Sequence, residues 1–479
     1  MKVLQLAAEA TPLAKVGGLA DVVGELPRAL YQLDVDTRVM IPMHPTIDRK
    51  ALAITPTVSF SVPRGTGSVQ AEVYETTLGG VSYYMIDGAP VRAGVGVYNE
   101  PAIDAEKYVF FSIAAMHAAA AIDWKPDLLH AHDWHAAPGL LWLNSVRDRD
   151  PFWGDVRSLL TLHNLPYFGP GCEETFPAYG IESLQGWPVP DWAAWLPLPQ
   201  AIAAADWLST VSPTYAQEIL TPEYASGLDE LIRSRSDRLT GVLNAIDFNL
   251  WDPAKDPKVP VHFGRTEITK RLENKHLLQQ DLSLASIDVP LIVMITRVDY
   301  QKGIDLALGG LEQLTDTDWQ FVLLGIGSPD LEALASAFGE KHPDRVRIIQ
   351  SFRPMLSHHM YAAADMLLMP SRYEPCGLAQ LIGMRYGTVP IARATGGLKD
   401  TIINHSPAQT GTGFLFESAD ADACADAIRR ALDVYQDRDA WKQVQKRAMA
   451  HEFSWNLAAR NYKALYEKIQ QIHRDHHEQ

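Results

Sequence analysis

Short runs of consecutive apolar residues alternate with longer stretches of helical pattern along nearly the whole chain of 479 residues. Runs that stay apolar on successive residues are typical of strands covered on both faces, and alternation with helices favours parallel sheets. We predict strands at 2–7, 38–42, 81–86, 127–131, 158–162, 207–211, 291–296, 320–325, 346–349, 366–369 and 389–392. Helical patterns include 21–33, 105–122, 329–338 and 419–435. The sequence therefore predicts the α/β fold class.

The alternation appears twice, with a seam over residues 244–260, which are rich in Pro and Asp. A new helix and then a new buried strand at Leu291 follow the seam. We predict two doubly wound, Rossmann-like domains, 1–250 and 251–452. Ligands of such sheets bind at the carboxyl ends of strands, so an interdomain cleft would suit a donor held by one half and an acceptor held by the other.

Acidic residues exceed basic ones, 58 against 42, and give a formal net charge of −16. Such a surface repels nucleic acids and anionic lipids, which disfavours both as partners. The most apolar stretch, 112–122, is too short to span a bilayer. Residues 1–13 carry Glu9 inside their apolar run and predict a first strand rather than a signal peptide. The chain has three cysteines, Cys172, Cys376 and Cys424. They match no zinc pattern and make a poor disulfide framework, so a cytoplasmic location is expected.

A glycine-rich segment, Lys15-Val16-Gly17-Gly18-Leu19-Ala20-Asp21, is predicted to follow the first strand directly and to open a helix. Paired glycines let a backbone approach a ligand closely, and a helix N-terminus attracts anions. The segment does not match G-x-G-x-x-G, the dinucleotide fingerprint. The competing interpretation is a tight turn with Lys15 in solvent.

Histidines cluster at the ends of two predicted strands, in segments 130–135 (HAHDWH) and 161–165 (TLHNL). On a strand, His130 and His132 would face one side and Asp133 the other. A metal site is disfavoured, because no second group of ligand residues follows at a fitting spacing. We expect a pocket that offers Asp133 and the stacking face of Trp134 to a sugar. His163, through its ring or its backbone carbonyl, would bind a substrate hydroxyl. The competing interpretation is that these histidines are buried structural residues.

Two cations, Arg297 and Lys302, lie five residues apart after the first strand of the second half. Both can reach one diphosphate, since a guanidinium offers a fork of donors and an ammonium a point charge. Cations held there stabilise the charge that develops on a leaving phosphate. The competing interpretation is a solvated basic loop.

A second loop of the same half, 371–380 (SRYEPCGLAQ), follows the strand 366–369. Its proline forces an extended or turned backbone at Glu374. Gly377 is predicted to begin a helix whose free N–H groups can hold phosphate, which would place a sugar beside Glu374. Another Gly-Gly turn, in 394–400, opens a further helix.

Together these motifs resemble those of the bacterial glycogen synthases and plant starch synthases of glycosyltransferase family 5. The matching motifs are K-x-G-G-L-A-D-V at 15–22, H-x-H-D-W at 130–134, H-N-L at 163–165, S-P-T-Y-A-Q-E-I at 212–219, R-V-D-Y-Q-K-G-I-D-L at 297–306, P-S-R-Y-E-P-C-G-L at 370–378 and T-G-G-L-K-D-T at 395–401. The resemblance implies the GT-B fold, with an acceptor-side domain over 1–250 and a nucleotide-sugar-binding domain over 251–452. It also implies a C-terminal helix, 453–479, that returns to the N-terminal domain.

The implied activity is the retaining transfer of glucose from ADP-glucose to the non-reducing end of an α-1,4-glucan such as glycogen or a maltooligosaccharide, with release of ADP. The family is usually described with front-face attack, which requires neither a metal nor another cofactor. The resemblance implies the catalytic residues Glu374, Arg297, Lys302, His163 and Asp133, the donor-binding residues Lys15, Gly18, Asp21, Asn244, Phe352, Cys376, Gly377 and Leu378, and the acceptor-binding residues Tyr98 and Trp134.

The sequence departs from the family pattern at a few positions. Val16 replaces a frequent Thr, Ala245 replaces the Gly that follows Asn244, and Phe168 replaces a Gln on the acceptor side. UDP-glucose is kept as an alternative donor, because no residue of the sequence excludes it. Two further alternatives are a GT-B glucosyltransferase with sucrose-like or lipid acceptors and a non-catalytic glucan-binding paralogue.

Overall fold

A computed structural model describes residues 1–184, 186–351, 353–406 and 410–477 of the chain. The chain divides into two compact units, which we call unit 1 (Met1–Asn244 with Trp455–Gln479) and unit 2 (Ala245–Ser454). Each unit is built around a sheet of its own in which parallel pairing dominates. The predicted α/β class with two doubly wound domains is confirmed.

The sheet of unit 1 has nine strands in the order β3-β4-β5-β2-β1-β6-β7-β8-β9. The strands are β1 (Lys2–Leu6), β2 (Asp36–Pro42), β3 (Thr55–Arg64), β4 (Gly67–Leu78), β5 (Val81–Gly88), β6 (Leu128–His132), β7 (Arg157–Leu162), β8 (Trp207–Thr210) and β9 (Leu239–Gly241). β3 and β4 form an antiparallel hairpin at one edge, and the remaining strands run parallel to one another. Because β1 lies between β2 and β6, the winding direction changes there.

The sheet of unit 2 has six strands in the order β12-β11-β10-β13-β14-β15, and every pair is parallel. The strands are β10 (Leu291–Ile295), β11 (Gln320–Leu324), β12 (Val346–Ile349), β13 (Met366–Met369), β14 (Val389–Arg393) and β15 (Phe414–Phe416). The winding direction changes between β10 and β13, which is the switch point where open α/β sheets bind ligands.

Helices connect the strands of both sheets. They are α1 (Gly18–Tyr31), α2 (Ala89–Arg92), α3 (Pro101–Ala121), α4 (Asp133–Val146), α5 (Thr175–Ala178), α6 (Pro197–Ala204), α7 (Pro213–Glu218), α8 (Asp229–Arg233), α9 (Arg271–Asp281), α10 (Ile304–Glu312), α11 (Pro329–Lys341), α12 (Pro354–Ala363), α13 (Ala379–Arg385), α14 (Gly396–Thr401), α15 (Ala421–Gln436), α16 (Arg438–Met449) and α17 (Trp455–His477). α17 belongs to unit 1, where Tyr462 and Tyr466 are fully buried and Lys463 Nζ donates to the Leu33 carbonyl at 2.9 Å.

Every predicted strand is present, with ends within two residues of the prediction. The prediction missed β3, β4, β9 and β15 for physical reasons. β3 and β4 leave many of their residues exposed, so they lack the continuous apolar run that marks a doubly covered strand. β9 and β15 have only three residues each. In the described part of the chain, no helix has both the length and the apolar character to cross a bilayer. The cytoplasmic location stays a prediction.

Candidate active site

The carboxyl ends of β1, β6 and β7 meet at one edge of the unit 1 sheet, because these strands are parallel neighbours. The winding direction also changes at β1, so this edge is the position where such sheets bind ligands. The segments that leave these three strands carry most of the site residues predicted in the first half of the sequence.

Glu9 organises the segment between β1 and α1. Its side chain is buried and accepts hydrogen bonds from the backbone N–H groups of Val16 and Gly17, the latter at 3.1 Å, and from the Tyr98 hydroxyl at 3.0 Å. Burial raises the pKa of Glu9, and these three hydrogen bonds oppose the rise. The sequence analysis missed Glu9 as a site residue, although a charge inside an apolar run was the available signal.

Lys15 and Asp21 lie together at the start of α1. The Lys15 Nζ is 2.6 Å from Asp21 Oδ1, and 49% of the Lys15 side chain is exposed. The glycine segment opens a helix as predicted, and α1 begins at Gly18, three residues before the predicted start at residue 21. No helix or strand lies between β1 and α1, so the segment follows the first strand in the element order, and residues 7–14 between them turn back through Glu9, which accepts from Gly17.

His130 and His132 are fully buried, with ring centroids 4.0 Å apart. The two ring nitrogens of His130 are hydrogen-bonded to the Tyr466 hydroxyl at 2.8 Å and to the Thr161 hydroxyl at 2.6 Å. The interpretation as buried structural histidines therefore holds for this pair. Within the described ranges, no group of three or more His, Cys, Asp or Glu residues is placed to hold a metal ion.

His163 lies beyond β7, partly buried, and its Nε2 is 2.9 Å from His132 Nδ1. Burial lowers the pKa of His163 to about 3 and holds the pKa of His132 well below its ordinary value. Both rings are therefore neutral at pH 7, and each can donate one hydrogen bond and accept one.

Asp133 is the first residue of α4 and has a left-handed backbone with φ of 56°. The prediction that it faces away from His132 across a strand was wrong, because β6 ends at His132. Its Oδ1 accepts the backbone N–H of His163 at 2.7 Å, and the N–H of Asn164 also stabilises the carboxylate. Burial outweighs these bonds and raises the pKa of Asp133 to about 7.

The two predicted acceptor residues differ in accessibility. Tyr98 is 41% exposed while its hydroxyl donates to Glu9. Trp134 is only 8% exposed, and its ring packs at 3.9 Å from the His135 ring centroid and at 5.0 Å from that of Tyr108. This packing counts against the predicted stacking of a sugar on Trp134.

Asn244 is the last residue of unit 1 and is buried. Among the described residues, its Oδ1 has no hydrogen-bond partner, which suits an acceptor reserved for a ligand donor. The neighbouring Ala245 is buried and is not one of the non-glycine residues with positive φ. Alanine therefore fits this loop without backbone strain.

In unit 2, the loops after β10 and β13 bring Lys302 and Glu374 together at the switch point. Lys302 Nζ is 2.6 Å from Glu374 Oε2, and the Ser371 hydroxyl donates to the same oxygen at 3.0 Å. The Lys302 and Glu374 side chains are 16% and 7% exposed. Two predicted catalytic residues that are far apart in sequence thus form one largely buried ion pair, with Ser371 as a partner that the sequence analysis missed.

Arg297 lies in the same β10 loop, with 55% of its side chain exposed. It forms an ion pair with Asp299 at 2.9 Å and donates to Gln301 Oε1 at 3.1 Å. The Gln301 amide donates in turn to the Tyr373 carbonyl at 3.2 Å, which ties the β10 loop to the β13 loop. Asp299 and Gln301 were missed as separate residues, although both stand inside the predicted motif.

Gly303 shows why these loops need glycine. Its φ is 66°, and a Cβ there would lie 2.2 Å from the Pro370 carbonyl oxygen. Only glycine combines this backbone with such a close approach of the two loops.

The loop after Glu374 differs from the prediction in one respect. Gly377 does not begin a helix, since its φ is 75° and α13 begins at Ala379. The Gln380 amide donates to the carbonyls of Cys376 and Gly377, which fixes this turn before Leu378. The predicted Gly-Gly helix start is confirmed at α14. Phe352, the predicted base-stacking residue, lies outside the described residues.

Comparison with known proteins places these two sites in context. The sequence profile of the starch synthase catalytic domain matches residues 2–234, and that of glycosyl transferases group 1 matches residues 283–448. Glycogen synthases of Anaeromyxobacter dehalogenans (strain 2CP-1) and Kosmotoga olearia are each 39% identical to the chain, and that of Streptococcus mutans is 36% identical. These alignments cover at least 98% of this chain and 99% of each relative.

Among solved structures, the catalytic domain of starch synthase IV from Arabidopsis thaliana, bound to ADP and acarbose, matches with a TM-score of 0.89 and 31% identity over 98% of this chain and 99% of that chain. Sucrose-phosphate synthase from Thermosynechococcus elongatus, at 18% identity and a TM-score of 0.63, shares the fold alone. Two parallel-sheet units of this kind define a glycosyltransferase with the GT-B fold. The chain belongs to the glycogen synthase and starch synthase family. The glycogen or starch synthase function predicted from the sequence is confirmed at this level.

Proposed function

We propose that the protein transfers glucose from ADP-glucose to the non-reducing end of an α-1,4-glucan, with retention of the anomeric configuration and release of ADP. The observation that carries the proposal is the largely buried Lys302–Glu374 ion pair and the exposed Arg297 in the same loop region at the switch point of unit 2. The names of the relatives and the ADP and acarbose bound to the Arabidopsis structure support the choice of substrates.

Unit 2 is the proposed donor side. Arg297 and Lys302 bind the diphosphate, and Arg297 exchanges its contact with Asp299 for a phosphate oxygen. Glu374 orients Lys302 and the donor glucose, while the backbone of Cys376, Gly377 and Leu378 lies beside the sugar and phosphate. Phe352 is the proposed partner of the base.

Unit 1 is the proposed acceptor side. Asp133, His163 and Asn244 offer hydrogen-bonding groups to the donor glucose and the incoming glucan, and Tyr98 contacts the acceptor. Lys15, Gly18 and Asp21 add a cation, a helix N-terminus and a carboxylate at the same edge of the sheet. Trp134 supports this region through packing rather than through contact with sugar.

The proposed reaction is front-face substitution. The bond between the anomeric carbon and the diphosphate oxygen breaks, and the acceptor hydroxyl bonds to the same face of that carbon. The leaving phosphate oxygen accepts the hydroxyl proton, and the electron pair of the broken bond stays on the diphosphate. Arg297 and Lys302 stabilise this developing charge, and the His163 carbonyl oxygen faces the oxocarbenium-like centre.

The test is release of nucleoside diphosphate by the purified protein, with ADP-glucose or UDP-glucose and with or without glycogen. We expect release from ADP-glucose that depends on glycogen. Release from UDP-glucose alone would overturn the assignment of ADP-glucose as the donor, but it would not affect the proposed mechanism. Glycogen binding without release from either donor would favour a non-catalytic paralogue, and release only with glucose or other small sugars as acceptors would point to another GT-B enzyme.

A further inference from the structure

Gln5 lies at the centre of the unit 1 sheet, in β1, directly beside His130 of β6. It is fully buried, and its Oε1 is 3.3 Å from His132 Nε2. The other ring nitrogen of His132, Nδ1, is 2.9 Å from His163 Nε2. Gln5, His132 and His163 therefore form one hydrogen-bonded series that runs from the middle of the sheet to its ligand-binding edge.

The chemistry of the first member sets the direction of this series. A glutamine carbonyl oxygen accepts hydrogen bonds and cannot donate them. His132 must then carry its proton on Nε2, and its Nδ1 is left as an acceptor because the ring is neutral. The next bond requires His163 to donate from its own Nε2, so His163 Nδ1 carries a bare lone pair.

The surroundings hold the series in place. The His130 ring packs against the His132 ring with centroids 4.0 Å apart and planes tilted by 34°, and His130 is itself hydrogen-bonded to Tyr466 and Thr161. Gln5 joins the series through Oε1, while within the described residues its buried amide nitrogen has no hydrogen-bond partner. If the Gln5 amide were rotated by about 180°, its NH2 group would donate to His132 Nε2, and each hydrogen bond of the series would run in the opposite direction.

We propose that Gln5 is a positioning residue that fixes the tautomer of His163 through His132, so that His163 Nδ1 accepts a hydrogen bond from a substrate hydroxyl. The substrate contact rests on the proposed function, whereas the tautomer is a property of the protein without substrate. The two statements can therefore fail separately.

The first test is nitrogen NMR on full-length protein labelled with ¹⁵N-histidine, without substrate, at neutral pH. His163 is assigned by the signals lost in His163→Asn. We expect a protonated Nε2 and an unprotonated Nδ1 on His163. A protonated Nδ1 would show the opposite direction and overturn the proposal.

Two substitutions then test Gln5 itself. Gln5→Met keeps the side-chain length but removes the acceptor, and we expect His163 signals averaged between the two tautomers. Gln5→Glu restores an acceptor oxygen, and we expect the wild-type tautomer to return. Gln279→Met is the control, since Gln279 is equally buried and donates to Gln320 at 2.8 Å in unit 2.

Activity gives a second readout. We expect kcat/KM of Gln5→Met to fall by about threefold to tenfold, the scale for one hydrogen bond, and Gln5→Glu to recover most of this loss. A fall in activity with an unchanged His163 tautomer would show a merely structural role and overturn the proposal. Absence of glucosyl transfer in the wild type would refute the proposed function, while the NMR result would still decide the role of Gln5.

Discussion

Replacing Lys302 with Met tests both the stability and the chemistry of the unit 2 site. At the observed 2.6 Å and an effective dielectric constant of about 20, the Coulomb attraction between Lys302 and Glu374 is roughly 6 kcal/mol, much of which the cost of desolvation offsets. The substitution leaves a carboxylate that is 7% exposed with the Ser371 hydroxyl as its remaining side-chain partner in the described structure. We expect the free energy of unfolding to fall by about 3 kcal/mol.

The same substitution removes one of the two cations from the leaving diphosphate. We expect kcat to fall by at least about a hundredfold, the scale for loss of one group that stabilises transition-state charge. The assay is glycogen-dependent release of ADP, together with urea unfolding of the same samples. Lys341→Met is the matched control, since Lys341 pairs with Glu312 on the surface of unit 2, with side chains 62% and 40% exposed.

The control separates burial of the ion pair from loss of a lysine. Exposed pairs contribute about 0–1 kcal/mol, so Lys341→Met should keep both its stability and its activity. Equal destabilisation by the two substitutions would refute the argument from burial. Turnover within about threefold of the wild type in Lys302→Met would refute the role of this cation at the leaving group.

Three further substitutions probe the two sites. Glu374→Gln should lower kcat at least about tenfold through loss of the charge that orients Lys302. Near-normal ADP release would show that the catalytic site lies elsewhere. For Asp133, the folded pKa of about 7 exceeds the ordinary value of 3.8, so its contribution to stability declines as pH rises through this interval. Asp133→Asn should therefore reduce the loss of stability between pH 4 and 8 by at least about 1 kcal/mol, and parallel pH profiles from urea unfolding would contradict this. Gly303→Ala should lower the free energy of unfolding by about 2–4 kcal/mol in denaturant titrations, whereas Gly264→Ala, where nothing lies within 4 Å of the added carbon, should change little.

Much of the candidate site could be predicted because its residues follow strands. Arg297 and Lys302 stand after β10 and Glu374 after β13, and parallel strands deliver such residues to one edge of a sheet. The burial of Trp134 could not be predicted, because its neighbours Tyr108 and Gly169 come from other segments of the fold.

Glu9 and Gln5 were missed for a related reason. Both stand in or next to an apolar run that the pattern assigns to the core, and the pattern does not show which groups pair with a polar residue there. The side-chain partners, Tyr98 for Glu9 and His132 for Gln5, come from distant segments and meet them only in the folded chain. Buried polar groups need hydrogen bonds, but the sequence does not state which group supplies them.

The sequence by itself determined the α/β class, the two sheets and the family, because consecutive apolar runs and ordered motifs are local properties of the chain. The tertiary structure alone decided how the polar side chains pair. It placed Lys302 on Glu374, joined Gln5 to His132, and turned Asp133 onto the backbone N–H of His163. The physical reason is that hydrogen bonds and ion pairs act over a few ångströms, and only the folded chain brings groups from separate segments within that range.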